Sequence, residues 1–113
     1  MVRLVMPVAL LLALPAMAQT PPSVPLLAQA LDRCMAGYAV RLTRTEATDD
    51  AIFAEAVKGC QSIDTQLRAA VRAQVPAVEA ARLFREFDDT SRPNFMALLQ
   101  RIRADRAARA AQD

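Results

Sequence analysis

Apolar residues recur every three to four positions through most of this chain, which is the period of an α-helix. The first such segment runs from about Val24 to Arg44 and the second from about Asp49 to Ala73, and in each an apolar stripe lies opposite a polar face. Thr48 is suited to cap the second segment. No segment alternates apolar and polar residues long enough to indicate a strand. The pattern therefore predicts an all-α protein.

Prolines divide the second half of the pattern. Pro76 lacks an amide hydrogen and clashes with the preceding turn, so it either separates two helices or kinks one long helix. A third segment runs from about Pro76 to Asp88. A turn is expected from Asp88 to Pro93, because Thr90 or Ser91 can cap a fourth helix and proline suits a first turn. We therefore predict a small four-helix domain.

The two cysteines fit a helical hairpin. If the first two segments are antiparallel about a turn centred near residue 47, facing residues lie equally far before and after it, as Cys34 and Cys60 do. The same register pairs four sets of apolar residues: Leu31 with Ile63, Leu27 with Leu67, Tyr38 with Ala56, and Leu42 with Ile52. Facing Cα atoms of packed helices come within disulfide distance. We therefore predict a structural Cys34–Cys60 disulfide that pins an antiparallel hairpin.

The only two glycines, Gly37 and Gly59, fall close to the predicted bridge. Because glycine has no side chain, we expect both to let the two helices approach closely there.

The N-terminus has the three zones of a cleavable signal peptide. Arg3 supplies a positive charge, an apolar run follows from Leu4 to Leu14, and Ala16-Met17-Ala18 places small residues at both positions that signal peptidase reads. We predict cleavage between Ala18 and Gln19. The run is shorter than the roughly 20 apolar residues of a membrane span, so no transmembrane anchor is expected after processing.

These features divide the chain into four parts. They are a signal peptide (1–18), a Pro-rich flexible leader (19–25), a helical domain (26–106) and a frayed basic and Ala-rich tail (107–113). Export places the protein in the periplasm or outside a bacterial cell, where a disulfide is the default state of two cysteines.

Charge is nearly balanced overall but uneven along the chain. The chain has 14 basic and 12 acidic residues, yet residues 46–89 are net acidic and residues 92–113 are net basic. We expect the two regions to attract each other within one fold. A second hypothesis is that four arginines contact an anionic lipid or envelope polymer: Arg101, Arg103, Arg106 and Arg109. Nucleic acid is not an expected partner, because aromatic residues for base stacking are few.

The residue types present limit the chemistry. The chain has no His, which excludes Ser-His-Asp triads and His-ligated metal sites. It has no Gly-rich phosphate loop. The acidic pairs Asp49-Asp50 and Asp88-Asp89 adjoin helix ends and are explained by capping and by a solvated turn. We therefore predict no catalytic residue, no cofactor and no metal site.

The overall plan is similar to that of periplasmic acid-stress chaperones, but no family motif is matched residue by residue. We expect a non-enzymatic protein-interaction or envelope-stress module whose partners are periplasmic proteins or anionic envelope components. The alternative is a small-ligand carrier or an enzyme with a carboxylate-lined site between helices.

Overall fold

A computed structural model describes residues 22–113 of the chain, which form four α-helices and contain no strand. The helices are α1 (Val24–Leu42), α2 (Asp49–Gly59), α3 (Gln61–Gln74) and α4 (Ala77–Ala110). The predicted all-α, four-helix class is confirmed. The predicted signal peptide, its cleavage between Ala18 and Gln19, and the first part of the leader lie outside the described residues.

Helix α1 begins inside the segment predicted to be a flexible leader. Ser23 caps it, and its hydroxyl accepts a hydrogen bond of 3.4 Å from the amide of Leu26. Pro25 lies in the first turn, where its missing amide hydrogen would have had no helical partner. The predicted start of the first helix at about Val24 is confirmed, so helix α1 includes the last two residues that the predicted leader also covered.

Helix α2 begins as predicted, with Thr48 as its cap. The Thr48 hydroxyl accepts a 3.2 Å hydrogen bond from the amide of Ala51, and two aspartates occupy the first turn. The single helix predicted from Asp49 to Ala73 is wrong, however, because the chain departs from helical geometry at Cys60 (φ −103°, ψ 9°). The Cys60 amide still donates to the carbonyl of Ala56, so the break is local.

The break coincides with close packing at the residue before it. The side chain of Tyr38 lies against Gly59, and a Cβ at that position would overlap its hydroxyl and ring. The prediction of close approach is confirmed for Gly59. It is wrong for Gly37, where a Cβ would meet only the side chain of Arg41 from the same helix, at 3.2 Å.

Pro76 separates two helices, which resolves the alternatives left by the sequence. Val75 is extended (φ −128°, ψ 155°), and α4 starts directly after Pro76.

The turn predicted from Asp88 to Pro93 does not exist. Helix α4 continues through it, and the hydroxyl of Thr90 donates to the carbonyl of Glu86 at 2.8 Å instead of capping a new helix. Burial of apolar side chains beyond the proline outweighs the lost backbone hydrogen bond. The helix also reaches Ala110, so the tail predicted to fray from residue 107 is helical for four residues more than expected.

Two apolar clusters form the core. One joins the second half of α1 to α2 and α4, through Ala39, Ile52, Ala56, Phe95 and Leu99. The other joins the first half of α1 to α3, through Leu27, Leu31, Cys60 and Leu67. The Cys34–Cys60 disulfide is confirmed, with Cα atoms 6.0 Å apart. This grouping agrees with the predicted register, while the antiparallel hairpin itself stays a prediction.

Candidate binding grooves beside α4

Arg68 on α3 is the centre of the contact with the first half of α4. Its guanidinium donates to Asp64 on its own helix at 3.1 Å and to Asp88 on α4 at 2.7 Å. It also lies over the rings of Phe84 and Phe87, at 5.1 and 5.3 Å from their centroids. The hydrogen bond to Asp88 is the main cause that raises the pKa of Arg68. Arg68 is therefore a permanent cation that links the two helices.

The first turn of α2 holds the second half of α4 through two ion pairs. Arg92 pairs with Asp50, and Arg103 pairs with Asp49 at 2.6 Å. Arg92 also lies over the ring of Phe53, 5.5 Å from its centroid. The predicted attraction between the acidic middle of the chain and its basic end is thus present at these residues.

Two of the four arginines predicted to contact an anionic surface make internal contacts instead. Arg103 is paired as described, and Arg106 donates to the Thr43 hydroxyl at 2.6 Å and to the Val40 carbonyl at 2.8 Å. Arg101 and Arg109 form no ion pair within residues 22–113. The anionic-surface contact stays a prediction, and these two exposed side chains are the ones available for it.

Two open grooves flank the middle of α4. The first, here called the α3–α4 groove, has a volume of about 430 Å³ and lies where α4, the α2–α3 pair and α1 meet. Its apolar lining consists of Leu31, Met35, Phe53, Ala54, Val57 and Phe87. The second, here called the α1–α4 groove, measures about 520 Å³ and lies between α1 and α4. Its apolar lining consists of Ala28, Leu31, Met35, Ala36, Phe87, Phe95 and Leu98.

Ser91 lies where the two grooves meet and lines both of them. It shares a helical face with Phe84 and Leu98, because the three positions are seven apart. A small polar residue therefore interrupts the apolar face of α4 at its centre, which leaves space on either side. Sequence reasoning missed this residue because it assigned Ser91 to a turn. The spacing of seven across the supposed turn was the signal that could have revealed it.

The charged residues of the α3–α4 groove differ in their pairing. Asp64, Arg68 and Asp88 form one network, whereas Lys58 is exposed and takes part in no ion pair of the described chain. In this groove, a carboxylate-lined site of the kind considered from the sequence would have to use Asp64 and Asp88. Both already accept hydrogen bonds from Arg68.

The fold and the grooves define a small all-α domain with a disulfide and two open, apolar-lined clefts. Within the described range, no three or more His, Cys, Asp and Glu side chains form a group that could hold a metal ion. No helix in that range is long and apolar enough to cross a membrane. Comparison with known protein families, curated proteins and solved structures finds no match for this chain. The absence of a catalytic residue and of a cofactor stays a prediction.

Proposed function

We propose that this protein is a non-enzymatic interaction module of the bacterial envelope, which binds apolar segments of other exported proteins in the α1–α4 groove. The observation that carries the proposal is the make-up of this groove. It has an apolar floor and a rim of Thr90, Asn94, Asp32 and Arg101. An apolar centre within a polar rim is the usual anatomy of a protein-binding surface.

Export is part of the same proposal. The pattern of residues 1–18 supports it, and so does the Cys34–Cys60 disulfide, because such bonds form and persist in oxidising compartments. N-terminal sequencing of protein recovered from the periplasm or the medium is expected to begin at Gln19. A chain that still begins at Met1 would contradict the signal peptide.

Aggregation of a heat-unfolded exported protein, followed by light scattering, tests the binding function. We expect the protein described here, without residues 1–18, to slow the aggregation of this client. The Ala36→Phe variant should lose the effect, because the new ring would fill the α1–α4 groove from α1. Ala54→Phe is the matched control, since Ala54 lines only the other groove.

Two results would count against the proposal. One is equal protection by both variants. The other is no protection by the unaltered protein, together with no protein retained from a periplasmic extract.

A further inference from the structure

The first half of α4 lies between two weak points of the backbone. On one side Val75 is extended and Pro76 has no amide hydrogen, so the helix is interrupted there. On the other side Pro93 lies inside the helix and leaves the carbonyl of Asp89 without its usual helical donor. The segment between these points, residues 77–89, is here called the α4 strap.

A side-chain hydrogen bond adds to the second weak point. The hydroxyl of Thr90 donates to the carbonyl of Glu86, four residues earlier in the same helix, at 2.8 Å. Such a bond competes with the backbone hydrogen bonds of the helix and favours bending. Thr90 and Pro93 are both exposed, so the packing of their side chains does not oppose a change of backbone geometry. Residues 90–93 therefore have the properties of a hinge within α4.

The contacts that hold the strap are weaker than those beyond the hinge. Its buried side chain is Ala80, which is 2% exposed but small, and its rings Phe84 and Phe87 are only half-buried. The ion pair between Asp88 and Arg68 is partly exposed, and such pairs contribute little to stability. Beyond the hinge, by contrast, α4 contributes large buried side chains to the first apolar cluster. The strap can therefore leave its place at a lower cost in free energy than the rest of the helix.

The strap separates the two grooves beside α4. Phe87 lines both grooves and packs against the second apolar cluster, so its ring stands between the two openings. Leu31 and Met35 on α1 also line both grooves. With the Phe87 ring removed from this position, the two grooves become one continuous apolar surface over Leu31 and Met35.

We propose that the α4 strap opens about residues 90–93 while the first apolar cluster stays packed, and that opening joins the two grooves into one larger binding surface. The opening goes beyond the proposed function, because it is a property of the fold that needs no client. Its consequence for binding rests on the proposed function, since an apolar segment of a client would gain contact area on the joined surface.

A thiol placed under the strap measures its opening in the protein without residues 1–18. Ala80→Cys adds a thiol that iodoacetamide alkylates only when this buried position becomes exposed. Ala56→Cys is the matched control, because Ala56 is 0% exposed and lies in the first cluster. Both rates are measured in the range where they are proportional to the reagent concentration.

We expect alkylation at position 80 to be at least about ten-fold faster than at position 56, because a local opening requires less free energy than global unfolding. Equal rates at the two positions would show that the strap leaves only when the whole protein unfolds, and would overturn the proposal.

A substitution in the first cluster separates local opening from global unfolding. Ile52→Val removes one methylene from a fully buried side chain and should speed alkylation at position 56 by about two- to ten-fold. It should leave the rate at position 80 unchanged, because the first cluster stays packed when the strap opens. A parallel rise at both positions would contradict the proposal.

Two further variants, each combined with Ala80→Cys, test what closes the strap and where it bends. Arg68→Met should speed alkylation by about two- to five-fold, since it removes a partly exposed ion pair. Pro93→Ala should slow alkylation by about ten-fold or more, because it restores a helical hydrogen bond at the hinge. Pro25→Ala, at an exposed proline in the first turn of α1, is the matched control and should change nothing. An unchanged rate in Pro93→Ala would refute the assignment of the hinge.

Hydrogen exchange of the unaltered protein tests the hinge without an added thiol. In a continuous helix the amides of residues 94–96 donate to the carbonyls of residues 90–92, so they lose these partners when the hinge bends. We expect them to exchange at least about ten-fold faster than the amides of residues 99–102. Equal protection of the two groups would contradict bending at this place.

The aggregation assay tests the consequence for binding. Arg68→Met should protect the client at a lower concentration than the unaltered protein does, and Pro93→Ala only at a higher one, because the strap is open more often in the first variant and less often in the second. Equal protection by all three proteins, with the alkylation rates as expected, would show that opening does not enlarge the binding surface. No protection by the unaltered protein would contradict the proposed function instead, while the alkylation rates would still decide whether the strap opens.

Discussion

The two halves of α4 are held to the rest of the molecule by different forces. Before Ser91, the helix buries only the small side chain of Ala80, and its half-buried Phe84 and Phe87 lie beside the cation Arg68. After Ser91, it buries Phe95 and Leu99, which are 5% and 0% exposed. Burial of a whole apolar side chain contributes more than a partly exposed ion pair does. We infer that the second half anchors α4 and that the first half is the more easily released.

Leucine truncation on either side of Ser91 should give the largest contrast. Leu99→Ala should lower the free energy of unfolding by about 2–5 kcal/mol, because it leaves a cavity in a fully buried site. Leu83→Ala makes the same chemical change at a half-buried position of the first half and should cost clearly less. Urea unfolding measures both. A Leu83→Ala variant at least as destabilised as Leu99→Ala would reverse our ranking of the two halves.

Removal of the cation at the first half should have a smaller, salt-dependent effect. Arg68→Met retains an aliphatic side chain but removes the guanidinium, so the contacts with Asp64 and Asp88 are lost. We expect a loss of about 1 kcal/mol that shrinks as NaCl is added, because the guanidinium is partly exposed and its charge is screened.

The sign of the pKa shift fixes the pH range of this contribution. A pKa raised by folding stabilises the protein below the unfolded-state value for as long as the Asp88 and Asp64 carboxylates are ionised, and the contribution is lost as the pH rises through the raised value in strong base. The difference in the free energy of unfolding between the unaltered protein and Arg68→Met should therefore persist through neutral and mildly alkaline pH. A loss that is independent of salt would show that Arg68 acts by packing alone.

Filling the gap between the halves should have the smallest effect and the opposite sign. Ser91→Leu restores an apolar residue to the face shared with Phe84 and Leu98, so we expect a gain of about 0.5–1 kcal/mol in the free energy of unfolding. Ser62→Leu is the matched control, since Ser62 is exposed on α3 and lines neither groove. Stabilisation by the control alone would mean that the space beside Ser91 is not an underfilled part of the core.

The two wrong predictions about helices share a cause. Local signals favoured a turn at Thr90, Ser91 and Pro93, yet α4 continues through all three and buries Phe95 and Leu99 beyond the proline. Conversely, the pattern through Cys60 favoured one unbroken helix, and the break there coincides with the disulfide and with Tyr38 packed on Gly59. Contacts between residues far apart in the sequence decided both cases, and such contacts cannot be predicted from a local sequence pattern.

The sequence by itself determined the helical class, the cap at Thr48 and the cysteine pair, because each follows from residues close along the chain or from a simple register. It left open whether Pro76 separates two helices or kinks one, and the structure decided for separation. Only the tertiary structure decided that α4 is continuous and that Ser91 lies between two grooves. It also decided which charges are paired: Arg103 and Arg106 are internally engaged, whereas Lys58 forms no ion pair in the part of the chain described here. These features depend on how helices pack across the molecule, where burial outweighs local preference.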